Sequence, residues 1–176
     1  MIRGVIHIPV LDFERAHNQV RIPGRYSSLN LAFLDPRGLD LQWRTVETLA
    51  RLYTMDVIIH YPLMGMHRYA DRAFKTEAPT KVDVFFGGPE WRAVYDECHA
   101  GPDLHTRLLS LYKNSLGKLG YQEIIEEQQA GYVPLIRNTR RNAPLYHLLF
   151  ASKHPLGHDF WDKVTRRNVY GQGRLL

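Results

Sequence analysis

The stretch "NLAFLDPRGLDLQW", residues 30–43, decides the fold of this chain. A short apolar run that turn-forming residues stop is typical of a buried strand, so we predict a strand over Leu29 to Leu34 that ends at Asp35. An amphipathic helix is predicted over Leu41 to Leu52, and a second apolar strand over Met55 to Tyr61. A strand, a helix and a strand in about 30 residues form a parallel crossover unit, which predicts an α/β sheet covered on both faces.

The rest of the chain continues to alternate between strand-like and helix-like segments. Residues 63–101 favour short helices, and we predict that they form a helical insertion above the strand ends. Two later strand-like segments have no helix between them, so they are expected to pair antiparallel. In chain order the further predictions are a strand over Arg3 to Val10, helices over Asp12 to Val20, Met64 to Phe74, Pro89 to Cys98 and Leu104 to Leu119, strands over Tyr121 to Gln128 and Leu145 to Ala151, and a helix over Asp159 to Thr165.

Length, composition and charge limit the class of protein. The 176 residues suit one domain with a substantial core, and no apolar run reaches the roughly 20 residues of a membrane-spanning helix. The single cysteine, Cys98, allows no intrachain disulfide, which fits a cytoplasmic location. The net charge is +5, with residues 137–176 at +6 and the rest at −1. This basic end predicts either a nucleic-acid partner or only a solvated, solubilising surface.

Three segments carry a family resemblance. "FLDPRGLDLQWRTVETLA" (33–50), "MDVIIHYPLMGMHR" (55–68) and "PLYHLLFASKHPLGHDFWDKV" (144–164) closely resemble the bacterial three-Cys-motif partner family, TcmP. Members of that family look like Rossmann-type methyltransferases that use S-adenosylmethionine. The resemblance implies a methyltransferase-like protein that acts on nucleic acid or another polar substrate.

The resemblance also implies a site. In methyltransferases of this shape the fourth strand ends in an Asp-Pro or Asn-Pro motif beside the methyl donor and the acceptor, and Asp35 with Pro36 matches it. Open α/β sheets bind ligands at the carboxyl ends of their strands, so Asp35 is expected to hold an attacking amine or hydroxyl. A capping role in the following turn is the alternative. Asp12, at the end of the preceding strand, and Pro36 are predicted to bind the cofactor.

The strand after Asp35 ends in His60 and Tyr61, which are predicted to join it as catalytic residues because a histidine titrates near neutral pH. A buried structural pair is the alternative for these two. Arg37, Lys153 and His154 are also predicted to bind the substrate. His67 and Arg68 are predicted to contact an anionic substrate, with a solvated helix face as the alternative.

No metal site is predicted. Pro155 and Gly157 interrupt the helical spacing that would bring His154 and His158 together on one metal, and no fourth ligand is evident. The histidines around Cys98 also lack a ligand spacing.

The chain departs from the methyltransferase pattern in one respect. Such enzymes hold the donor with a Gly-rich turn after the first strand and an acidic residue after the second, and neither motif occurs here. Residues 1–176 are therefore interpreted as one Rossmann-like domain that starts at the family's third strand. In the sheet order 3-2-1-4-5-7-6, this start exposes the strand at Leu29 to Leu34 as an edge.

An exposed apolar edge is an aggregation hazard, so it must be covered. Either the N-terminal strand pairs with it, two copies pair edge to edge in a homodimer, or a second polypeptide supplies the missing half. The sequence thus favours two functions. One is an S-adenosylmethionine-dependent methyltransferase, and the other is an inactive truncated relative that binds a partner or nucleic acid.

Overall fold

The computed structural model describes residues 5–6, 30–51, 55–77, 79–98, 101–122, 135–138 and 140–165. These residues form a mixed α/β structure with one five-stranded sheet. No helix among them is long and apolar enough to cross a membrane.

The sheet is parallel on one side and antiparallel on the other. Its strands are β1 (Val5–Ile6), β2 (Asn30–Leu34), β3 (Met55–Pro62), β4 (Leu135–Arg137) and β5 (Pro144–Ala151), in the order β1-β2-β3-β5-β4. β1, β2 and β3 run parallel, whereas β5 is antiparallel to both β3 and β4. The carboxyl ends of β2 and β3 therefore lie at the same edge as the start of β5.

Six helices accompany the sheet in the described part of the chain. They are α1 (Trp43–Arg51), α2 (Leu63–Phe74), α3 (Lys81–Phe86), α4 (Trp91–Cys98), α5 (Leu104–Lys118) and α6 (Pro155–Thr165). α1 is the crossover between β2 and β3, as the spacing of Val46, Leu49 and Ala50 predicts, because all three side chains are buried in the core.

The main core lies on one face of the sheet. Alternate residues of β3 point into it, including Ile59 and Tyr61, which have no exposed surface. The Tyr61 ring packs against Phe85 of α3 and Tyr112 of α5, with ring centroids 5.6 and 5.5 Å apart. On the opposite face, Phe150 of β5 stacks on Trp161 of α6 at 5.1 Å.

The crossover unit, the long helix and the antiparallel C-terminal strand are confirmed, with ends shifted by one or two residues. Gly120, in the left-handed region at φ +85°, follows α5 and ends it. The N-terminal strand is confirmed at Val5–Ile6, which pair with Leu31 and Ala32. The chain's own strand thus covers part of this edge of β2, and homodimer pairing through Leu29 to Leu34 stays a prediction. The predicted helix over Asp12 to Val20 lies outside the described residues.

The predicted helical insertion over residues 63–101 contributes Phe85 and Trp91 to the main core, where both are wholly buried. Two predictions about the elements were wrong. The strand beside β5 is Leu135–Arg137, while Tyr121 and Gln122 are not in a strand and the rest of that segment lies outside the described residues. The last helix begins four residues early, at Pro155, because proline suits the first helical position.

Candidate active site at the carboxyl ends of β2 and β3

A carboxylate and an imidazole meet where β2 and β3 end. Asp35 Oδ1 lies 2.6 Å from His60 Nδ1, and the side chains are 51% and 20% exposed, respectively. The sheet register explains the contact, since Leu34 pairs with Ile59 and the next residue of each strand is Asp35 and His60. The resulting Asp35–His60 pair faces solvent at the carboxyl rim, which is the edge of the sheet where β2 and β3 end.

The pair also explains why an acidic residue follows an apolar strand. Asp35 is not the cap of α1, because that helix begins eight residues later, at Trp43. Its carboxylate binds the histidine of the neighbouring strand instead. The backbone then turns through Gly38, whose φ of +63° lies in the left-handed region that glycine adopts easily.

Tyr146 completes the site from β5. Its ring lies 3.8 Å from the His60 ring, centroid to centroid, at an interplanar angle of 41°. His60 pairs with Leu148 across the strands, and Tyr146 is two residues away from Leu148 on the same face of the sheet. Tyr146 therefore supports one face of the imidazole and restricts its orientation.

The arrangement selects one tautomer of His60. An ionised carboxylate only accepts hydrogen bonds, so Nδ1 must carry the proton that Asp35 Oδ1 accepts. In the neutral imidazole Nε2 then holds a lone pair. An imidazole held in this way can take a proton from a hydroxyl or an amine, and Asp35 stabilises the imidazolium that forms.

Tyr61 does not belong to this site. Successive residues of a strand point to opposite faces, so Tyr61 lies in the core whereas His60 reaches the rim. Burial, together with the neighbouring Tyr112, raises the pKa of Tyr61 well above its ordinary value. The prediction that Tyr61 acts beside His60 does not agree with this placement. The alternative of a buried, hydrogen-bonded pair is not formed either, because the Tyr61 hydroxyl has no partner among the described residues and His60 binds Asp35 instead.

Lys153 and His154 lie at the end of the sheet opposite the carboxyl rim, near the beginning of β3. β5 runs antiparallel to β3, so Ala151, just before them, pairs with Val57 near the beginning of β3. Three residues of β3 separate that position from His60, about 10 Å along the strand. The Lys153 ammonium donates a hydrogen bond to the carbonyl oxygen of Ala50. The predicted grouping of these two residues with Asp35 is therefore not formed.

The remaining predicted residues fall in several places. Arg37 is exposed in the turn after Asp35 and shares the carboxyl rim with it, whereas Pro36 is buried. Arg68 is exposed on α2, a helix that packs on the core face through Met66. Asp12 and the side chain of His67 lie outside what the structure describes.

Sequence reasoning missed Tyr146, and it assigned the arginines of the β4–β5 turn only to the basic end of residues 137–176, not to this site. Tyr146 is the third residue of β5, and the antiparallel pairing with β3 brings it to His60. The sequence predicted antiparallel pairing only between the last two strands, so it did not place the first residues of β5 at the carboxyl rim. Arg137, Arg140 and Arg141 lie at the same end of the sheet and are exposed.

A groove of about 530 Å³ lies between α1 and the α3–α4 pair, away from the Asp35–His60 pair. Asp83 on its wall accepts hydrogen bonds from Trp91 Nε1 at 2.9 Å and from Arg92 Nη2 at 2.9 Å, and it also binds Thr80. Burial alone would raise the pKa of Asp83, but these donors outweigh it and hold the pKa well below its ordinary value. The carboxylate is saturated with donors, which indicates a structural role.

The described residues do not fit a methyl donor. A donor cradle needs a Gly-rich turn between a strand and a helix. The turn after β2 has one glycine, Gly38, and β3 passes directly into α2. The turn between β5 and α6 is Ser152, Lys153 and His154. No group of three or more His, Cys, Asp or Glu side chains in the described ranges can hold a metal ion either.

Comparison with known proteins gives no family for this chain. No family model, no curated protein and no solved structure matches it.

Proposed function

We propose that this chain is a methyltransferase-like protein of the TcmP type that binds nucleic acid or another polar substrate at the carboxyl rim. The 2.6 Å contact between Asp35 and His60 carries the proposal, because it leaves His60 Nε2 as a proton acceptor on a side chain that is 20% exposed at the carboxyl rim. The substrate's O–H or N–H bond breaks, its electron pair stays on the oxygen or nitrogen, and the proton moves to Nε2. The carboxylate of Asp35 offsets the charge of the imidazolium.

The order of the strands supports the family. β2, β3, β5 and β4 lie side by side, with β5 opposed in direction to both of its neighbours. A 4-5-7-6 order with a reversed strand 7 is what the resemblance implies for this half of a methyltransferase sheet. Asp35 follows β2, the strand that the resemblance would make the fourth, and this supports its proposed role.

In this proposal the chain binds and activates the substrate atom that accepts the methyl group. His60, Asp35 and Tyr146 orient and deprotonate the substrate's nucleophile, and the described residues hold no donor. S-adenosylmethionine, when bound, would supply an electrophilic methyl group.

Titration with S-adenosylmethionine tests the enzyme hypothesis. A ligand that binds the folded state raises the melting temperature, so calorimetric heat and a thermal shift with millimolar S-adenosylmethionine would support an enzyme even though the described residues include no donor cradle. The absence of both would refute an S-adenosylmethionine-dependent enzyme in this chain. With binding established, transfer of a labelled methyl group to pooled oligonucleotides measures turnover.

Two variants then test the pair. Asp35→Asn and His60→Gln are each expected to lower turnover by about 100-fold or more, the usual contribution of a positioned base. Asp96→Asn removes an exposed carboxylate on α4 and serves as the matched control with unchanged turnover. Retained turnover in both pair variants would exclude the proposed proton transfer.

The second candidate is a relative without catalysis that binds nucleic acid or a protein partner. The observation in its favour is the group of exposed arginines in the β4–β5 turn, together with the lack of a donor cradle among the described residues. Nucleic-acid binding without any binding of S-adenosylmethionine would select it.

A further inference from the structure

The turn that joins β4 to β5 presents arginines beside the Asp35–His60 pair. Residues 137–141 contain Arg137, Arg140 and Arg141, and all three are exposed. Arg137 pairs with Pro144 at the end of the β4–β5 ladder, so the turn projects from the edge of the sheet at which β5 begins. We call the described residues 137–138 and 140–144 the arginine turn.

The backbone of the arginine turn is held by its own hydrogen bonds. Asn138 Oδ1 accepts hydrogen bonds from the backbone N–H groups of Arg140 and Arg141, at 2.9 and 3.0 Å. The Asn138 N–H donates to the carbonyl oxygen of Ala143 at 2.8 Å, which closes the turn. These bonds fix the backbone that carries the arginines, so less backbone entropy is lost when a ligand binds.

The arginine turn begins close to the candidate active site. The His60 ring contacts the Tyr146 ring, and Tyr146 pairs with Ile136, the residue before Arg137. β3 and β4 are separated only by β5, which places them two strand spacings, or about 10 Å, apart. A stacked nucleic-acid strand rises about 3.4 Å per nucleotide, so this gap corresponds to about three nucleotides.

We propose that the carboxyl rim binds single-stranded nucleic acid, with the arginine turn on the phosphates and one base against the His60–Tyr146 ring pair. The inference rests on the proposed function and names its substrate class. Guanidinium groups match phosphate oxygens in a planar, two-point geometry. Aromatic rings at the rim accept an unstacked base, which a duplex does not offer.

The test measures binding of a labelled 12-nucleotide single strand to the full chain over a range of salt concentrations. The double variant Arg140→Gln/Arg141→Gln is expected to weaken binding at least tenfold and to reduce the slope of log K against log salt by about 1.4, twice the value per phosphate contact. The matched control is Arg51→Gln/Lys118→Gln, which removes two exposed cations at the ends of α1 and α5. It is expected to bind within twofold of the unchanged chain.

Several outcomes would overturn the proposal. They are no binding of the oligonucleotide, equal losses in the two double variants, or an unchanged salt slope in the arginine-turn variant. If inorganic phosphate displaces the oligonucleotide at an equal concentration of phosphate groups, the site is one for small anions. Binding to phosphatidylserine vesicles, dependent on the arginine turn and without oligonucleotide binding, would indicate a membrane surface instead.

The same assay separates this proposal from the proton-transfer proposal. Asp35→Asn should bind the oligonucleotide within a few-fold of the unchanged chain, because Asp35 adds no positive charge, yet it should lose turnover. Loss of turnover with binding that does not depend on the arginine turn would overturn the nucleic-acid proposal alone. Binding that depends on the arginine turn, with Asp35→Asn fully active, would overturn the proton-transfer proposal alone.

Discussion

The substitution Tyr61→Phe removes one oxygen atom from the core, and it tests on which face of β3 this side chain lies. The Tyr61 side chain has no exposed surface, and among the described residues its hydroxyl has no hydrogen-bond partner. A buried hydroxyl without a partner costs about 1–3 kcal/mol of desolvation free energy. Tyr61→Phe removes that cost and keeps the ring contacts, so the free energy of unfolding should rise by about 1 kcal/mol. For a chain of this length the melting temperature should rise by about 2–4 °C.

Urea denaturation and differential scanning calorimetry measure the effect, and Tyr95→Phe is the control. Tyr95 is 6% exposed, but its hydroxyl donates a 2.9 Å hydrogen bond to Asp71 Oδ1. The same chemical change at Tyr95 removes a satisfied hydrogen bond, so it should lower the melting temperature. The two tyrosines thus give shifts of opposite sign.

Two results would refute the reasoning. A loss of more than about 1 kcal/mol in Tyr61→Phe would mean that the hydroxyl has a partner in the folded protein. Full stability together with lost substrate turnover would place Tyr61 in the site after all and would contradict the strand register. Turnover that matches the unchanged chain agrees with a residue on the core face.

Three other predictions follow from the same structure. Asp83→Ala should cost about 3–5 kcal/mol, because it leaves a half-buried arginine without its partner, and urea denaturation at pH 7 measures the loss. The pKa of Asp83 is lower in the folded chain than its ordinary value of 3.8. The stabilisation that the Asp83 carboxylate gives is therefore present above about pH 5 and is lost as the pH falls below 3.8. Asp83→Ala should accordingly show a flatter dependence of stability on pH in acid denaturation. Gly87→Ala should destabilise the chain by about 1–3 kcal/mol in the same assay, because Gly87 has φ +81° and a Cβ there would lie 2.6 Å from Trp43 Cγ. Asp35→Asn should reduce the preference of His60 for the tautomer protonated at Nδ1, as ¹⁵N shifts of the imidazole report; an unchanged tautomer ratio would contradict the hydrogen bond.

The fold was predictable where the hydrophobic period is strong. Strand, helix and strand from Asn30 to Pro62 follow directly from the alternation of apolar and polar residues. The short helix Lys81–Phe86 was not predicted, because six residues carry too little periodicity. Thr80 and Asp83 nevertheless form a capping box at its start, with a hydrogen bond from the Thr80 N–H to Asp83 Oδ2 of 2.6 Å. A search for that local pattern would have indicated the helix.

The site was predictable only in part, because sequence gives the ends of strands but not their order in the sheet. Asp35 and His60 were expected together, since parallel neighbours place their carboxyl ends at one edge, and the structure brings them within hydrogen-bonding distance. Lys153 was misplaced by the same reasoning, since the end of an antiparallel strand lies at the opposite edge. Tyr61 was misplaced because adjacent strand residues cannot both face one site.

The chain holds two carboxylates in opposite ways, and the contrast indicates where chemistry can occur. Asp83, with 11% of its side chain exposed, is surrounded by donors from a threonine, a tryptophan and an arginine, so its oxygens have no capacity for a substrate. Asp35 is 51% exposed, and the one side-chain hydrogen bond described for it is to His60. Contacts of exposed charged side chains contribute only about 0–1 kcal/mol, so this contact of the half-exposed Asp35 carboxylate adds little to folding stability. A proton acceptor, by contrast, needs an oriented imidazole that substrate can reach, and the Asp35–His60 pair meets that requirement.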